Sequence, residues 1–210
     1  GRRSHDILQQ ALQVLVNLEH RGAVGAEANT GDGAGILFQM PHAFLEAEAK
    51  RLGFALPKPG HYGCGTVFLP PNPQGLAACV EIIERVVATE GQTVLGWRDV
   101  PTENEGLGPS AKASQPVIRQ LFVGRGQECP DAMSFERKLY VIRRLVEKKI
   151  SRSAIPGRTH FYVPSLSFKT LVYKGRRNAT QLAAFYPDRA NPAVDTALAP
   201  LDLLAAAHEV

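Results

Sequence analysis

The stretch Leu-Glu-His-Arg-Gly-Ala-Val-Gly-Ala-Glu-Ala-Asn-Thr-Gly-Asp-Gly-Ala-Gly-Ile-Leu-Phe-Gln-Met, residues 18–40, decides the fold of this chain. A helical pattern runs into it as far as His20 and Arg21, and an apolar strand begins at Ile36. Between them the segment is rich in glycine, which adopts positive φ and lets the backbone approach another group closely. A loop of this kind is suited to line a substrate site. The alternative interpretation is a long, tight connection between a helix and a strand.

The segment that leads into this loop has the pattern of an amphipathic helix. Ser4 is a suitable N-cap. Apolar residues then recur at helical spacing and predict one core-facing side, made of Ile7, Leu8, Ala11, Leu12, Val14, Leu15 and Leu18. The order is helix, glycine loop, strand, whereas dinucleotide fingerprints and P-loops need strand, loop, helix. The glycines therefore do not indicate a nucleotide site.

Composition indicates one globular domain. The 210 residues are 44% hydrophobic and 21% charged, which suits a single packed core. No apolar run approaches the roughly 20 residues that a membrane span requires, so we expect no membrane partner. Cys64, Cys79 and Cys129 are widely separated and form no Cys-x-x-Cys pair. This pattern indicates neither a disulfide framework nor a metal site, and we expect a cytoplasmic protein without a bound metal.

The net charge of +4 arises partly from a basic region around residues 137–158. On the helix predicted over residues 134–151, however, Glu136 and Glu147 are interleaved with the cations. An apolar face also follows helical spacing, so the cations have the pattern of a solvated face. Since no nucleic-acid-binding motif accompanies them, we expect no nucleic-acid partner.

Beyond Pro41 the pattern alternates between helices and strands. A helix ending at Gly53 is followed by strands predicted over residues 62–69, 93–97 and 117–123, with a helix before Gly91 and a polar loop over residues 100–116. Two β-rich runs flank residues 165–169 and predict a hairpin over residues 161–173. This mixture predicts an α+β fold rather than a doubly wound parallel sheet.

Several segments together resemble the N-terminal glutaminase domain of the glutamate synthase large subunit. The strongest are Ser4-His5-Asp6-Ile7 and residues 17–26 and 29–37, which include the His-Arg-Gly turn. Shorter matching segments follow at residues 52–54, 62–63, 67–70, 90–101, 106–109, 135–140, 161–163, 172–175 and 185–188. The resemblance thus extends over about residues 4–188.

The resemblance implies a class II glutamine amidotransferase with the four-layer αββα sandwich of N-terminal-nucleophile hydrolases. In this family an N-terminal cysteine attacks the side-chain amide of glutamine, and its own α-amino group is the base. Ammonia then passes to a domain that holds FMN and an iron–sulfur cluster, where it is added to 2-oxoglutarate with NADPH or ferredoxin as electron donor. The implied partners are glutamine, the remainder of the large subunit and the small subunit.

The chain departs from the family pattern at both ends. The cysteine-led strand, similar to Cys-Gly-Val-Gly-Phe, does not precede the Ser-His-Asp helix. After Asp188 the Arg-Phe-Ser-Thr-Asn and Asn-Gly-Glu segments, which hold glutamine and its oxyanion in the family, do not occur. We therefore predict an incomplete sandwich, with a partial amidotransferase domain over residues 1–188 and a divergent Ala/Leu-rich tail over residues 189–210.

These departures predict that the chain alone has no catalytic residue and no glutaminase activity. The alternative is a non-catalytic scaffold or interaction module derived from the same domain. A further alternative uses the Tyr62-Gly63-Cys64-Gly65 segment, with Cys64 as nucleophile and His61 beside it. A small thiol within a strand is more often part of the core, and an internal cysteine has no α-amino group to act as base.

Five residues are predicted to line the substrate cleft. By resemblance, Arg21 lies nearest the nucleophile, and Gly22, Gly31, Asp32 and Gly33 line the same cleft. Local roles are the alternatives, since a cation in the last turn of a helix is favoured by the dipole and an aspartate often caps its own turn.

Overall fold

The computed structural model describes residues 2–17, 34–104, 115–175 and 179–202. In chain order the elements are α1 (His5–Asn17), β1 (Ala34–Gln39), α2 (His42–Arg51), β2 (Tyr62–Leu69), α3 (Pro73–Thr89), β3 (Thr93–Asp99), β4 (Val117–Gly124), α4 (Ala132–Ser151), β5 (Thr170–Gly175), α5 (Ala179–Phe185) and β6 (Leu201–Asp202). Two compact units divide the chain: unit 1 is Gly1–Phe44, Pro101–Ala113 and Val172–Val210, and unit 2 is Leu45–Val100 and Ser114–Leu171.

Unit 2 contains an antiparallel sheet ordered β2-β4-β3. Strand β4 pairs with β2 along the full length of both strands, from Tyr62 opposite Gly124 to Leu69 opposite Val117. Along its other side β4 pairs with β3, where the register shifts once near Leu95. The strand predicted over residues 93–97 is longer than expected, because β4 continues to offer hydrogen-bonding partners as far as Asp99.

Helices α3 and α4 pack together on one face of this sheet and form the core of unit 2. Apolar residues at helical spacing on both helices meet alternate residues of β2 and β4, as the two periodicities require. Full burial is reached by Cys79, Ile83, Val86 and Val87 on α3, Phe135, Leu139, Ile142, Val146 and Ile150 on α4, and Val67, Leu69, Leu121 and Val123 on the strands.

Helix α4 begins two residues earlier than predicted because of a capping box. The Asp131 carboxylate accepts a hydrogen bond from the Ser134 backbone N–H at 2.7 Å, and the Ser134 hydroxyl accepts one from the Asp131 N–H at 3.2 Å. These contacts satisfy amides that a helix N-terminus otherwise leaves unpaired, so the helix is defined from Ala132 onward.

The hairpin predicted over residues 161–173 is wrong. Its first run does not pair with its second: Tyr162 and Ser167 instead form isolated bridges to Phe68 and Cys64 on the edge of β2. The second run becomes β5, which joins a different sheet. Local alternation identifies strand-forming segments, but the choice of partner is made by the sheet edge that is available.

Unit 1 contains the second sheet, ordered β5-β1-β6. Strand β6 is antiparallel to β1, with Ile36 opposite Leu201 and Gly35 opposite Asp202. Helices α1 and α5 contact each other, and α5 also contacts β1. Aromatic rings add to this core, since Tyr173 stacks on Tyr186 with centroids 4.5 Å apart and meets the edge of Phe38 at 5.3 Å.

The described part of α1 agrees with the predicted apolar face except at one position. Leu8, Leu12 and Leu15 are buried, and the Ser4 hydroxyl accepts a hydrogen bond from the Ile7 N–H at 3.4 Å. Val14, however, is exposed, because it lies outside the stripe that the i, i+4 and i+7 positions define. Leu18 lies outside the described residues.

The mixture of antiparallel sheets and helices confirms the α+β prediction. No helix in the described part of the chain combines the length and the apolar character needed to cross a membrane. The boundary at residue 188 stays a prediction, although residues up to 202 make contacts within unit 1 that are described next.

Candidate functional site

The glycine-rich segment is bounded by α1 and β1. The predicted substrate-lining residues Arg21, Gly22, Gly31, Asp32 and Gly33 all lie outside the described residues. The chain enters the segment from the end of α1 and leaves it into the first residue of β1. The structure therefore defines the elements that position the two ends of this segment. We call these elements, α1 and β1 with the residues that hold them, the frame of the site.

Strand β1 is anchored on its β6 side by residues 195–202. The Thr196 side chain is fully buried, and its hydroxyl accepts a hydrogen bond from the Gln39 N–H at 3.1 Å. The Gln39 side-chain oxygen in turn accepts from the Ala197 N–H at 2.9 Å, and the Leu37 N–H donates to the Pro200 carbonyl at 3.0 Å. The segment after residue 188 thus builds one wall of the frame.

The Ser-His-Asp start of α1 is also held by this segment. The His5 Nδ1–H donates to the Val194 carbonyl at 2.9 Å, because a carbonyl can only accept. The other ring nitrogen then accepts from the Gln9 side-chain amide at 2.9 Å, and that amide also donates to the Arg189 carbonyl at 3.1 Å. Both imidazole nitrogens are engaged, which makes His5 a structural residue rather than a base.

Among the described residues of unit 1 a minute cavity lies between α1, β1 and α5. Its volume is about 10 Å³, at the lower limit of the space that one water molecule occupies. Its lining is mostly apolar, comprising Leu8, Leu12, Ile36, Phe38, Tyr173, Leu182, Tyr186, Arg189 and Val194. The cavity is a packing gap and cannot hold a substrate of the size of glutamine.

All three cysteines are buried, free thiols. Burial raises the pKa of Cys64 far above its ordinary value, although the nearby Arg98 charge opposes the shift. Burial also raises the pKa of Cys79 to about 11. Because the thiolate is the nucleophile, these thiols are inert near neutral pH, which agrees with the prediction that Cys64 is a core residue.

His61 is engaged with cations. The Arg125 guanidinium donates to the His61 ring at 3.3 Å, and Lys58 lies nearby. The pKa of His61 is lowered, first by loss of solvation and then by the Arg125 and Lys58 charges. Among the described residues no three His, Cys, Asp or Glu side chains are grouped so that they could hold a metal ion.

The glycines beside Cys64 have a packing role. A Cβ on Gly63 would lie 2.5 Å from a methyl group of Leu139, and one on Gly65 would lie 2.3 Å from the Ser165 carbonyl oxygen. Neither position has room for a side chain, because α4 and the loop before β5 approach the strand closely there. The Gly-Cys-Gly sequence therefore reflects close packing on β2.

A buried charge lies on the other face of the unit 2 sheet, and the sequence reasoning missed it. Arg98 is 2% exposed, its Nε donates to the Glu48 carboxylate at 2.7 Å, and its Nη1 donates to the Gln120 side chain at 3.1 Å. Glu48 also accepts from Arg51 at 2.9 Å, and these two arginines hold the pKa of Glu48 below its ordinary value. Arg98 lies between Trp97 and Asp99 near the end of a predicted strand, where an arginine is usually exposed. The sequence therefore gives no indication that Arg98 is buried.

The comparisons with known proteins agree with the resemblance. A family model described as glutamine amidotransferases class-II matches residues 1–202. The NADPH glutamate synthase large chain of Bacillus subtilis (strain 168) is 41% identical over 199 residues, which are 95% of this chain and 13% of the relative.

Further relatives come from other lineages. The ferredoxin-dependent glutamate synthase 2 of Synechocystis sp. is 36% identical over 91% of this chain and 12% of its own length, and the NADH glutamate synthase of Schizosaccharomyces pombe is 37% identical over 91% and 9%. The chain thus spans only about a tenth of the length of these relatives. Class II amidotransferases have the N-terminal-nucleophile hydrolase fold, and the helices and antiparallel sheets described above fit an incomplete form of that sandwich. A match over residues 1–202 together with this architecture leaves one conclusion: the chain belongs to the class II glutamine amidotransferase family.

Proposed function

We propose that this chain is part of the glutaminase domain of a glutamate synthase large chain. In this role it contributes to the release of ammonia from glutamine, which the complete enzyme adds to 2-oxoglutarate. The observation that carries the proposal is the 41% identity to a glutamate synthase large chain over nearly the whole sequence. The frame of α1 and β1 on either side of the His-Arg-Gly segment supports it.

Arg21 is the residue proposed to lie nearest the nucleophile. Its guanidinium would lie beside the attacking thiol, and Asp32 would line the same cleft. Gly22, Gly31 and Gly33 would leave the backbone amides open to the substrate, since a glycine has no Cβ to block the approach.

The nucleophile is proposed to be a cysteine on a strand that is not among the 210 residues. The thiols that are present support this proposal, because all three are buried and two have raised pKa values. The chain by itself is therefore expected to lack glutaminase activity.

The remaining partners and cofactors belong to the same proposal. The remainder of the large chain, the small subunit and glutamine are the proposed partners, in the cytoplasm, where unpaired thiols persist. FMN, the iron–sulfur cluster and the NADPH or ferredoxin donor are assigned to other parts of the enzyme. The described residues do not fit an iron–sulfur cluster, since their cysteines are separate and buried.

A chimeric enzyme tests the proposal. Residues 4–188 of this chain replace the matching region of the Bacillus subtilis large chain, which then supplies the cysteine-led strand and the later segments. We expect this chimera to release glutamate from glutamine. Arg21→Ala should lower kcat/KM by about 10–100-fold, the equivalent of a lost charged hydrogen bond. The control is Arg85→Ala, an exposed arginine on α3.

Two results would contradict the proposal. One is a chimera whose glutamine hydrolysis is the same with and without Arg21→Ala. The other is glutamate release by the 210-residue chain itself, abolished by Cys64→Ala, which would make Cys64 the nucleophile.

A further inference from the structure

The outward face of α4 carries an unusual number of exposed apolar side chains. Three of the large hydrophobic residues exposed in the described part of the chain lie on this one helix: Met133 is 47% exposed, Tyr140 58% and Val141 40%. An exposed aromatic ring beside other apolar groups is a common mark of a protein interaction surface.

Cations share this face with the apolar side chains. Positions separated by three and four residues lie on one side of a helix. Met133, Arg137, Tyr140, Arg144 and Lys148 have this spacing and are exposed, and we name them the α4 stripe. The stripe extends over about 22 Å, given the 1.5 Å rise per residue. Val141 and Arg152 lie along one border of the stripe.

The carboxylates on and beside α4 neutralise only part of the stripe, since Glu147 pairs with Arg144 and Asp131 lies near Arg137. Glu136 accepts hydrogen bonds from the Ser167 hydroxyl at 2.6 Å and the Phe168 N–H at 3.0 Å, so it is committed to the loop before β5. Glu147 accepts from Arg144 at 2.6 Å. Within the described residues Lys148 and Arg152 have no carboxylate partner within 4 Å, so the surface is positive overall.

The opposite face of α4 is already used. Phe135, Leu139, Ile142, Val146 and Ile150 are buried in the core of unit 2. An interfacial membrane helix needs its apolar face free to enter the lipid, so α4 cannot act in that way while unit 2 is folded.

A protein partner fits the stripe better than a nucleic acid. Tyrosine, methionine and arginine are the residue types enriched in protein interfaces, whereas nucleic-acid interfaces are more polar and more strongly positive. The Arg143 guanidinium lies 5.8 Å from the Tyr140 ring centroid, a weak contact at an exposed position. An exposed tyrosine is a residue type that often serves as an anchor in a pocket of a partner.

A second copy of this chain is a poor match, because the chain has a net charge of +4 and would meet the stripe with like charge. The exposed carboxylates on α3, the neighbouring helix, are Glu81 and Glu84. Glu81 already binds Arg85, and Glu84 accepts from the Trp97 indole at 2.9 Å. These carboxylates are committed within the chain, which leaves no strong acidic counterpart on that surface.

We propose that the α4 stripe docks on an acidic protein surface in the remainder of the glutamate synthase large chain, with Tyr140 as its apolar anchor. The identity of the occupant rests on the function proposed above and on the small part, 13%, of the relative that this chain covers. The cations steer the contact, and the ring and its neighbours are buried in it.

Thiol labelling tests this docking. Tyr140→Cys, and separately Val141→Cys, are introduced into the 210-residue chain and into the Bacillus subtilis chimera. Maleimide labelling of each position is then followed by peptide mass spectrometry. We expect the labelling rate to be at least about tenfold lower in the chimera than in the isolated chain. In the chimera the maleimide can reach a docked residue only after local opening. Leu52→Cys in unit 2, 40% exposed, is the matched control and should label equally in both proteins.

Charge reversal shows whether the cations contribute. Adding Arg137→Glu and Lys148→Glu to the chimera should restore rapid labelling at position 140. Lys50→Glu with Lys58→Glu, which changes the net charge equally on other exposed residues, should not. Both position-140 and position-141 variants are checked for native circular dichroism, so that loss of folding in one leaves the other informative.

Several outcomes would overturn the proposal. Equal labelling of the stripe in the isolated chain and in the chimera would do so, as would restoration by the control reversal alone. Protection of the isolated chain by mixed-sequence duplex DNA or by phosphatidylglycerol vesicles at 150 mM salt would assign the stripe to another class of partner. A chimera in which positions 140 and 141 label slowly but which does not hydrolyse glutamine would contradict the proposed function. It would leave the docking proposal intact.

Discussion

The guanidinium of Arg98 is buried against the unit 2 sheet. Its positive charge is balanced there by the Glu48 carboxylate. Removing one partner of a buried pair leaves the other charge poorly solvated. We expect Arg98→Ala to lower the free energy of unfolding by about 2–3 kcal/mol, because Glu48 keeps Arg51 as a partner while the Gln120 side-chain oxygen loses a charged donor. Arg51→Ala is the control, because Arg51 binds the same carboxylate from a side chain that is 63% exposed and should cost less than about 1 kcal/mol. Urea denaturation of both variants measures the difference, and equal effects would contradict the burial of Arg98.

The same carboxylate makes part of the stability pH-dependent. The pKa of Glu48 is lowered from its ordinary value of 4.5, first by the hydrogen bond from Arg51 and also by Arg98. A lowered pKa means that the stabilisation is complete above pH 4.5 and is lost as the pH falls through the folded-state value. Glu48→Gln should therefore be less stable than the parent at pH 7, by about 2 kcal/mol. The gap should close below pH 4.5, as followed by denaturation at a series of pH values, and a gap independent of pH would contradict the argument.

The cysteines give a chemical test at the residue scale. Since Cys64, Cys79 and Cys129 are buried, iodoacetamide at pH 7.5 should label none of them in the folded chain and all three in 6 M guanidinium chloride. Mass spectrometry counts the adducts. Selective labelling of Cys64 in the native chain would revive the interpretation in which it acts as a nucleophile.

At the scale of elements, the glycines of β2 give a sharp comparison. Gly65→Ala would bring a Cβ to 2.3 Å from a backbone oxygen, which cannot move as a flexible side chain could. We expect a loss of more than about 2 kcal/mol, as for overpacked core sites. Gly53→Ala is the control, since Gly53 has φ +86° and no atom within 4 Å of the added group, so its cost is limited to about 1 kcal/mol of backbone strain. Thermal unfolding of the two variants ranks them, and the reverse order would be inconsistent with this packing.

The helices and central strands could be predicted because their patterns are local. Leu139, Ile142 and Val146 follow helical spacing, and the glycine and proline signals around α2 and α3 mark where each helix stops. The hairpin failed because partner choice depends on a distant strand edge, which Tyr162 and Ser167 find on β2. The burial of Arg98 could not be predicted either, since it depends on Glu48, fifty positions earlier in the chain.

The candidate site was predicted by resemblance rather than by physical reasoning. Glycine density and a terminal arginine indicate a loop, but neither specifies a ligand. The frame of that loop depends on Thr196, which no local pattern singles out, because its burial arises from pairing with Ser4 and Gln39. The roles of Arg21 and Asp32 stay predictions, and the chimera tests them.

At the scale of the whole molecule, truncation tests where the domain ends. A chain that stops at residue 188 loses the Thr196, Pro200 and Leu201 contacts to β1. A chain that stops at residue 202 keeps them. We expect faster hydrogen exchange in β1 of the shorter chain and little change in β4, because the core of unit 2 does not include this segment. Equal exchange in β1 of both chains would support a domain boundary at residue 188.

The interleaving of the two units has a consequence for biosynthesis. Arg3 and Asp195 are 192 positions apart in the chain and form an ion pair within unit 1. At about 5–20 residues per second, the ribosome delivers the partner of the first helix on the order of ten to forty seconds after that helix emerges. Unit 2 needs nothing beyond Leu171 and can be complete in the meantime. The nascent α1 therefore emerges long before Tyr173 and Leu182, which lie beside Leu8 and Leu12 in the folded chain, and we expect it to bind a ribosome-associated chaperone in that interval.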